Sequence, residues 1–354
     1  MGLPGRVRAP DTPATSTDAL ACAGMTKTAV AAPAVVAPRP RRWTADRGRV
    51  VRGVLSTVHL LALLATCLLA GLPTDRLSVL LWVLTGLGCR CAGRGARTGL
   101  RLLADWVPLG AVLLLYVTSR GLADGLGVPV HAVEPAAADA ALFGAVPTVW
   151  LQAHVVAPAW WDVVVTIVYA SHFAVTPVVL AVLWLRRRPL WARYARLVVA
   201  LSLAGLVTYV LYPAAPPWLA ARDGLIGAVE RRSNNGWAEL GMPRAGALLH
   251  AGQGSVNPVA AVPSLHTAFA VLVCLFAWRL VRHRWQRVLL VGYALAMPVV
   301  LVWSGEHYVV DTLLGAVYAA GVCLAVPALE RAGRTLRGRR RDPGASVTAT
   351  TSRG

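Results

Sequence analysis

The run "RVLLVGYALAMPVVLVWSGEHYVVDTLLGAVYAAGVCLAVPA", residues 287–328, decides the class of this chain. Two apolar stretches, 287–303 and 309–328, are separated by a short polar break. Each approaches the roughly 17–25 residues that a membrane-spanning helix needs. The break carries Glu306 and His307, and Asp311 follows on the first turn of the second stretch. Ionisable groups at such a depth are costly and mark functional positions.

Working outward, the same pattern recurs. Apolar runs at about 54–72, 77–92, 102–118, 163–185, 196–212, 266–281, 287–303 and 309–328 predict an all-α, polytopic helical membrane protein with about eight transmembrane helices. The composition agrees: 56% hydrophobic, 14% charged, mean hydropathy +0.58.

The formal charge of +19 would suggest nucleic acid in a soluble protein. Here the arginines cluster in short loops between apolar runs, which excludes a nucleic-acid partner and points to membrane orientation. With the N-terminus inside, 29 of the 35 Lys and Arg residues fall on the cytoplasmic side. The remainder are Arg76, Arg120, Arg222, Arg231, Arg232 and Arg244. This bias sets both termini in the cytoplasm of a multi-pass cell-membrane protein. Three regions follow: a basic disordered tail over 1–53, a transmembrane domain over 54–328 and a basic tail over 329–354. Residues 1–53 lack the apolar core of a signal peptide, and Met25 is an alternative start. Two long outside segments, 119–162 and 213–265, read as non-helical, the second entered through "YPAAPPWL" (212–219). The six cysteines lack zinc-ligand spacing and read as apolar packing residues, so no metal or cofactor is expected.

In "AAVPSLHTAFAVLVCLFAW" (260–278), Pro263 and Ser264 signal a helix start with Ser264 as cap. His266 then lies in the first turn, where free N–H groups attract phosphate. His266 and His307 are separated by one span in, a basic loop and one span out, so both return to the outer face. Asp311 shares a helical face with His307 and can accept its Nδ1 proton, leaving Nε2 as a base or nucleophile. The trio suits phosphoryl chemistry, with one histidine attacking phosphorus and the other protonating the leaving oxygen. His172, in the fourth run, is either a functional intramembrane group or a buried hydrogen-bonding one. Lone histidines such as His59, His131 and His154 read as interfacial polar residues.

"PSLHT" (263–267) and "GEHYVVD" (305–311) resemble the second and third signatures of the type 2 phosphatidic acid phosphatase superfamily. The Leu265 variant is similar to its inositol phosphorylceramide synthase-like (inositolphosphotransferase) branch, found among actinobacterial integral membrane proteins. "RGLAD" (120–124), "FGAVPTVWLQ" (143–152), "SHF" (171–173) and "YPAAPPW" (212–218) also look typical of that branch. The resemblance implies a metal-independent lipid phosphatase or phosphotransferase working through a phosphohistidine. His307 matches the nucleophile, Asp311 its orienting carboxylate and His266 the general acid. The chain departs from the superfamily where Val300 and Leu301 replace a Ser-Arg pair, so the phosphate-binding arginine of that signature is absent. Ser264, Arg120, Arg222 and Arg244 are the expected substitutes. The expected partners are the bilayer and a membrane lipid substrate, transferred to water or to a lipid alcohol. A non-catalytic transporter, with His172 marking its pathway, is the alternative class.

Overall fold

A computed structural model of the chain describes residues 42–69, 76–123, 127–242, 246–247 and 258–341. Among them the protein is helical and contains no strand. Six helices are long and apolar enough to cross a membrane. They lie within α1 (Arg42–Leu69), α3 (Ala96–Ala123), α6 (Ala159–Arg186), α7 (Arg188–Leu211), α11 (Arg284–Trp303) and α12 (Val309–Arg341). Two further apolar helices, α2 (Arg76–Cys91) and α10 (Leu265–Ala277), are shorter. All eight expected apolar runs are therefore helical, and six of them reach spanning length.

The lipid-facing character is visible on the surface. Leu60, Leu115, Val207, Leu289, Val317 and Leu324 are large, apolar and exposed on five different helices. A water-facing protein rarely exposes so much apolar area, whereas hydrocarbon solvates it. Pro108, Pro177, Pro298 and Pro327 sit inside spanning helices, a tolerance typical of membrane helices, where neighbours re-satisfy the freed backbone groups.

The core forms around α10. It packs most extensively on α12, then on α11, with α6 and α7 closing the ring. Leu272 and Ala268 of α10 are buried with Tyr194, Val198 and Leu201 of α7 and Ala319 of α12. On the other side, Ala270 meets Val165 and Tyr169 of α6 and Met297, Val300 and Leu301 of α11. Burial of this density, side chain into side chain, holds the helices in place.

Two expectations change. The outside segments are partly helical: α4 (Glu134–Phe143) and α5 (Pro147–His154) lie in the first, and α8 (Pro217–Arg222) and α9 (Gly236–Glu239) in the second. The reason is that Pro135, Pro147 and Pro217 occupy first-turn positions, where proline begins a helix instead of breaking one. Also, α1 begins upstream of residue 54 and includes Arg47, Arg49 and Arg52, while α12 runs on past 328 to Arg341. Residues 1–41 and 342–354, and with them most of both expected tails, lie outside the described residues.

Candidate active site

The two histidines are brought together by backbone contacts at the start of α10 and α12. Ser264 caps α10, its side chain accepting from the Thr267 N–H at 3.4 Å. The Ser264 N–H in turn donates to the Asp311 carbonyl at 2.9 Å. The helices approach so closely that a Cβ on Gly315 would lie against the Ser264 carbonyl oxygen. Only glycine permits that crossing.

The break before α12 is built as a helix stop. After Trp303 the chain turns at Gly305, whose φ of 77° lies in the left-handed region, and the Glu306 and His307 N–H groups fold back onto the Leu301 carbonyl at 3.0 and 3.3 Å. This is a glycine C-cap arrangement. It turns the His307 side chain into the bundle, where it is almost fully buried.

The result is a row of imidazoles. The rings of His266 and His307 are 5.8 Å apart between centroids. His266 stacks on Tyr169 at 5.0 Å and lies 4.0 Å from the ring of His172. Tyr169 is ten residues into α6, about 15 Å along its axis at 1.5 Å per residue. The first turn of α10 therefore starts well inside the bundle, which is why α10 needs only 13 residues. His307 Nδ1 lies 3.5 Å from Asp311 Oδ2. That is an ion-pair separation, longer than a normal hydrogen bond, and such contacts often tighten only when substrate binds. Asp311 is fully buried, and its Oδ2 also accepts the Tyr308 N–H at 3.0 Å.

Several site groups were not legible in the sequence. Asp139 of α4 is fully buried and accepts the Val309 and Val310 N–H groups, each at 2.9 Å. It thus caps α12 from a different helix. Burial pushes the Asp139 carboxyl above its ordinary range, and these two N–H groups pull against that shift. Arg231 pairs with Glu306 through two bonds, Nε to Oε1 at 2.7 Å and Nη2 to Oε2 at 3.1 Å. Ser233 donates a third hydrogen bond to Glu306. The Arg231 guanidinium lies over the Trp218 ring at 4.7 Å, with Tyr169 close to it. Burial alone would lower its pKa, but the Glu306 charge and hydrogen bonds outweigh that and hold it above its ordinary value. Gln152 of α5 anchors this loop, bonding the Glu230 backbone on both sides and the Trp303 carbonyl.

Of the phosphate ligands expected from sequence, Ser264 lies at the site as the α10 cap. Arg222 does not join it: its side chain is exposed and pairs with the neighbouring Asp223. Arg120 lies near the end of α3 with its side chain outside the described set, and Arg244 lies outside the described residues altogether. Among the described residues, no cluster of three or more His, Cys, Asp or Glu side chains is arranged to hold a metal ion.

Residues 136–325 match the family model of the PAP2 superfamily. The chain belongs to the PAP2 superfamily. Both histidine motifs, Asp139 and the Arg231 loop fall inside the matched PAP2 segment. Over 133 residues the chain is 29% identical to the phosphoinositol dihydroceramide synthase of Bacteroides thetaiotaomicron, a stretch covering 37% of this chain and 43% of that protein. The match thus spans less than half of that relative's length. No solved structure matches the chain. It is thus a PAP2-superfamily protein with six helices, among the described residues, long and apolar enough to cross a membrane.

Proposed function

We propose that the protein transfers the phosphoryl or phospho-head group of a lipid through a phosphohistidine at His307, without a metal. The observation that carries this reading is the 5.8 Å spacing of the His307 and His266 rings, with Asp311 behind His307. A near-attack distance of about 3–3.5 Å from nitrogen to phosphorus and a hydrogen bond of about 2.6–3.2 Å to the leaving oxygen fit a gap of that order.

His307 Nε2 attacks phosphorus as the bond to the leaving oxygen breaks, and His266 gives that oxygen its proton. Asp311 accepts the Nδ1 proton of His307, fixing the tautomer and stabilising the charged ring. In the second half, an acceptor oxygen attacks the phosphohistidine, His266 removes its proton and the P–N bond breaks. Water as acceptor gives a phosphatase; a lipid alcohol gives a head-group transferase. The likeness to a phosphoinositol dihydroceramide synthase supports transfer, with an inositol phospholipid as donor and a ceramide-like alcohol as acceptor. The distribution of basic residues supports a site on the extracytoplasmic side.

The test is purified protein in detergent with phosphatidic acid, isoprenyl pyrophosphate, and phosphatidylinositol plus lipid alcohols, with and without EDTA. The parent turns over at least one of these, EDTA leaves the rate intact, and acid quenching traps an acid-labile phosphoenzyme. His307→Ala abolishes turnover and the trapped species, and His266→Ala slows turnover about 10²–10⁴-fold. Parent-like rates in both variants would refute the assignment. Side is read separately with Glu239→Cys in intact cells. Labelling by an impermeant thiol reagent above the parent level supports the orientation, and protection reverses it.

A further inference from the structure

The PAP2 signature arginine is replaced by Leu301, which is fully buried in an apolar cluster. A phosphoryl group still needs a cation or N–H donors to stabilise its developing charge. The start of α12 cannot supply them. The Tyr308 N–H goes to Asp311, and the Val309 and Val310 N–H groups go to Asp139. The neighbourhood is also acidic, with Asp139, Asp311 and Glu306 all buried. An anionic substrate entering it would be repelled unless a cation stood at the site.

Resting on the reading of His307 as nucleophile, we propose that Arg231 is the phosphate-binding residue of this chain and that Glu306 is its positioning residue. Arg231 reaches the site from both sides. It is bonded to Glu306, the residue next to His307 in the chain, and lies close to Tyr169, on which His266 stacks. The guanidinium carries five N–H donors in a fixed fork. Glu306 takes two of them, so it orients the group without exhausting it. The Trp218 face on one side and the Ser233 hydroxyl on the carboxylate hold the pair against rotation. A lysine could not replace this planar fork. Glu306, adjacent to the nucleophile, thereby acquires a task. The loop that carries Arg231 is bound to the His307 turn by the Arg232 N–H to the Ser304 carbonyl and the Trp218 N–H to the Gly305 carbonyl. Cation and nucleophile move as one piece.

The experiment measures competitive inhibition of the purified protein by orthovanadate and by inorganic phosphate, alongside thermal unfolding. Variants are Arg231→Lys, Arg231→Ala, Glu306→Gln, Glu306→Asp and His307→Ala. Anion binding to His307→Ala is read by thermal shift. Arg231→Lys and Arg231→Ala weaken both anions at least tenfold. Glu306→Gln weakens them less, raising KM more than it lowers kcat, and Glu306→Asp recovers part of the loss. His307→Ala is inactive yet still binds phosphate. Should Arg231→Ala fail to fold, Arg231→Lys decides the matter. Parent-like inhibition of Arg231→Lys, or a parent that neither anion inhibits, overturns the proposal. If His307→Ala turns over like the parent, the reading beneath it fails instead.

Discussion

Among the described residues, two bidentate arginine–carboxylate pairs have nearly the same geometry. Arg188 binds Asp105 through Nε and Nη2, both at 2.7 Å. Arg231 binds Glu306 through the same two atoms at 2.7 and 3.1 Å. The first ties α3 to the start of α7, and Trp184 adds a hydrogen bond to Asp105. Its arginine is 55% exposed, against 19% for Arg231. The first pair sits beside Arg186 and Arg187 at the junction of α6 and α7. The second includes Glu306, the residue beside His307, and lies close to Tyr169, on which His266 stacks. Pair geometry therefore says little about role; what surrounds the guanidinium decides it. Bond count cannot separate a brace from a ligand, and substitution can.

The largest expected separation is kinetic. Arg231→Ala lowers kcat/KM for the lipid that the parent turns over about 10²–10³-fold, the usual cost of one transition-state donor, while Arg188→Ala stays within about twofold. Equal losses in steady-state assays would collapse the distinction. Next comes the crossing that places the histidines. Gly315→Ala puts a methyl against the Ser264 carbonyl. It costs about 1–3 kcal/mol by overpacking, visible in thermal unfolding, with activity falling about tenfold as the rings separate. Asp139→Asn turns one acceptor into a donor facing an N–H. It costs about 1–2 kcal/mol and lowers activity a few-fold without changing anion inhibition. The smallest effect belongs to the exposed brace: Arg188→Ala costs on the order of 1 kcal/mol in thermal unfolding.

Legibility in the sequence followed the distance over which information had to act. His307 and Asp311 were readable because four residues on a helix put both on one face. Ser264 was readable because a cap acts over three residues. The spanning helices declared themselves by apolar length. Asp139 was not readable, since its partners lie 170 and 171 residues away in the chain. Arg231 looked like any other loop arginine, because Glu306 meets it across 75 residues of sequence. Arg222 had the same appearance and is exposed beside Asp223. The short helix α8 was missed through the prolines of 212–219, read as breakers where Pro217 starts a helix, and α4 and α5 were missed because 119–162 was read as non-helical throughout. The shortness of α10 depends on how deep its first turn lies against α6, which no local pattern records.

The meeting of Ser264, Asp311 and Gly315 has a wider consequence. The spacing of the two imidazoles is set by main-chain atoms: an N–H on a carbonyl, and a carbonyl against a missing side chain. The close approach of α10 and α12 at the two histidines thus rests on backbone against backbone, while side-chain packing holds the rest of the bundle around it.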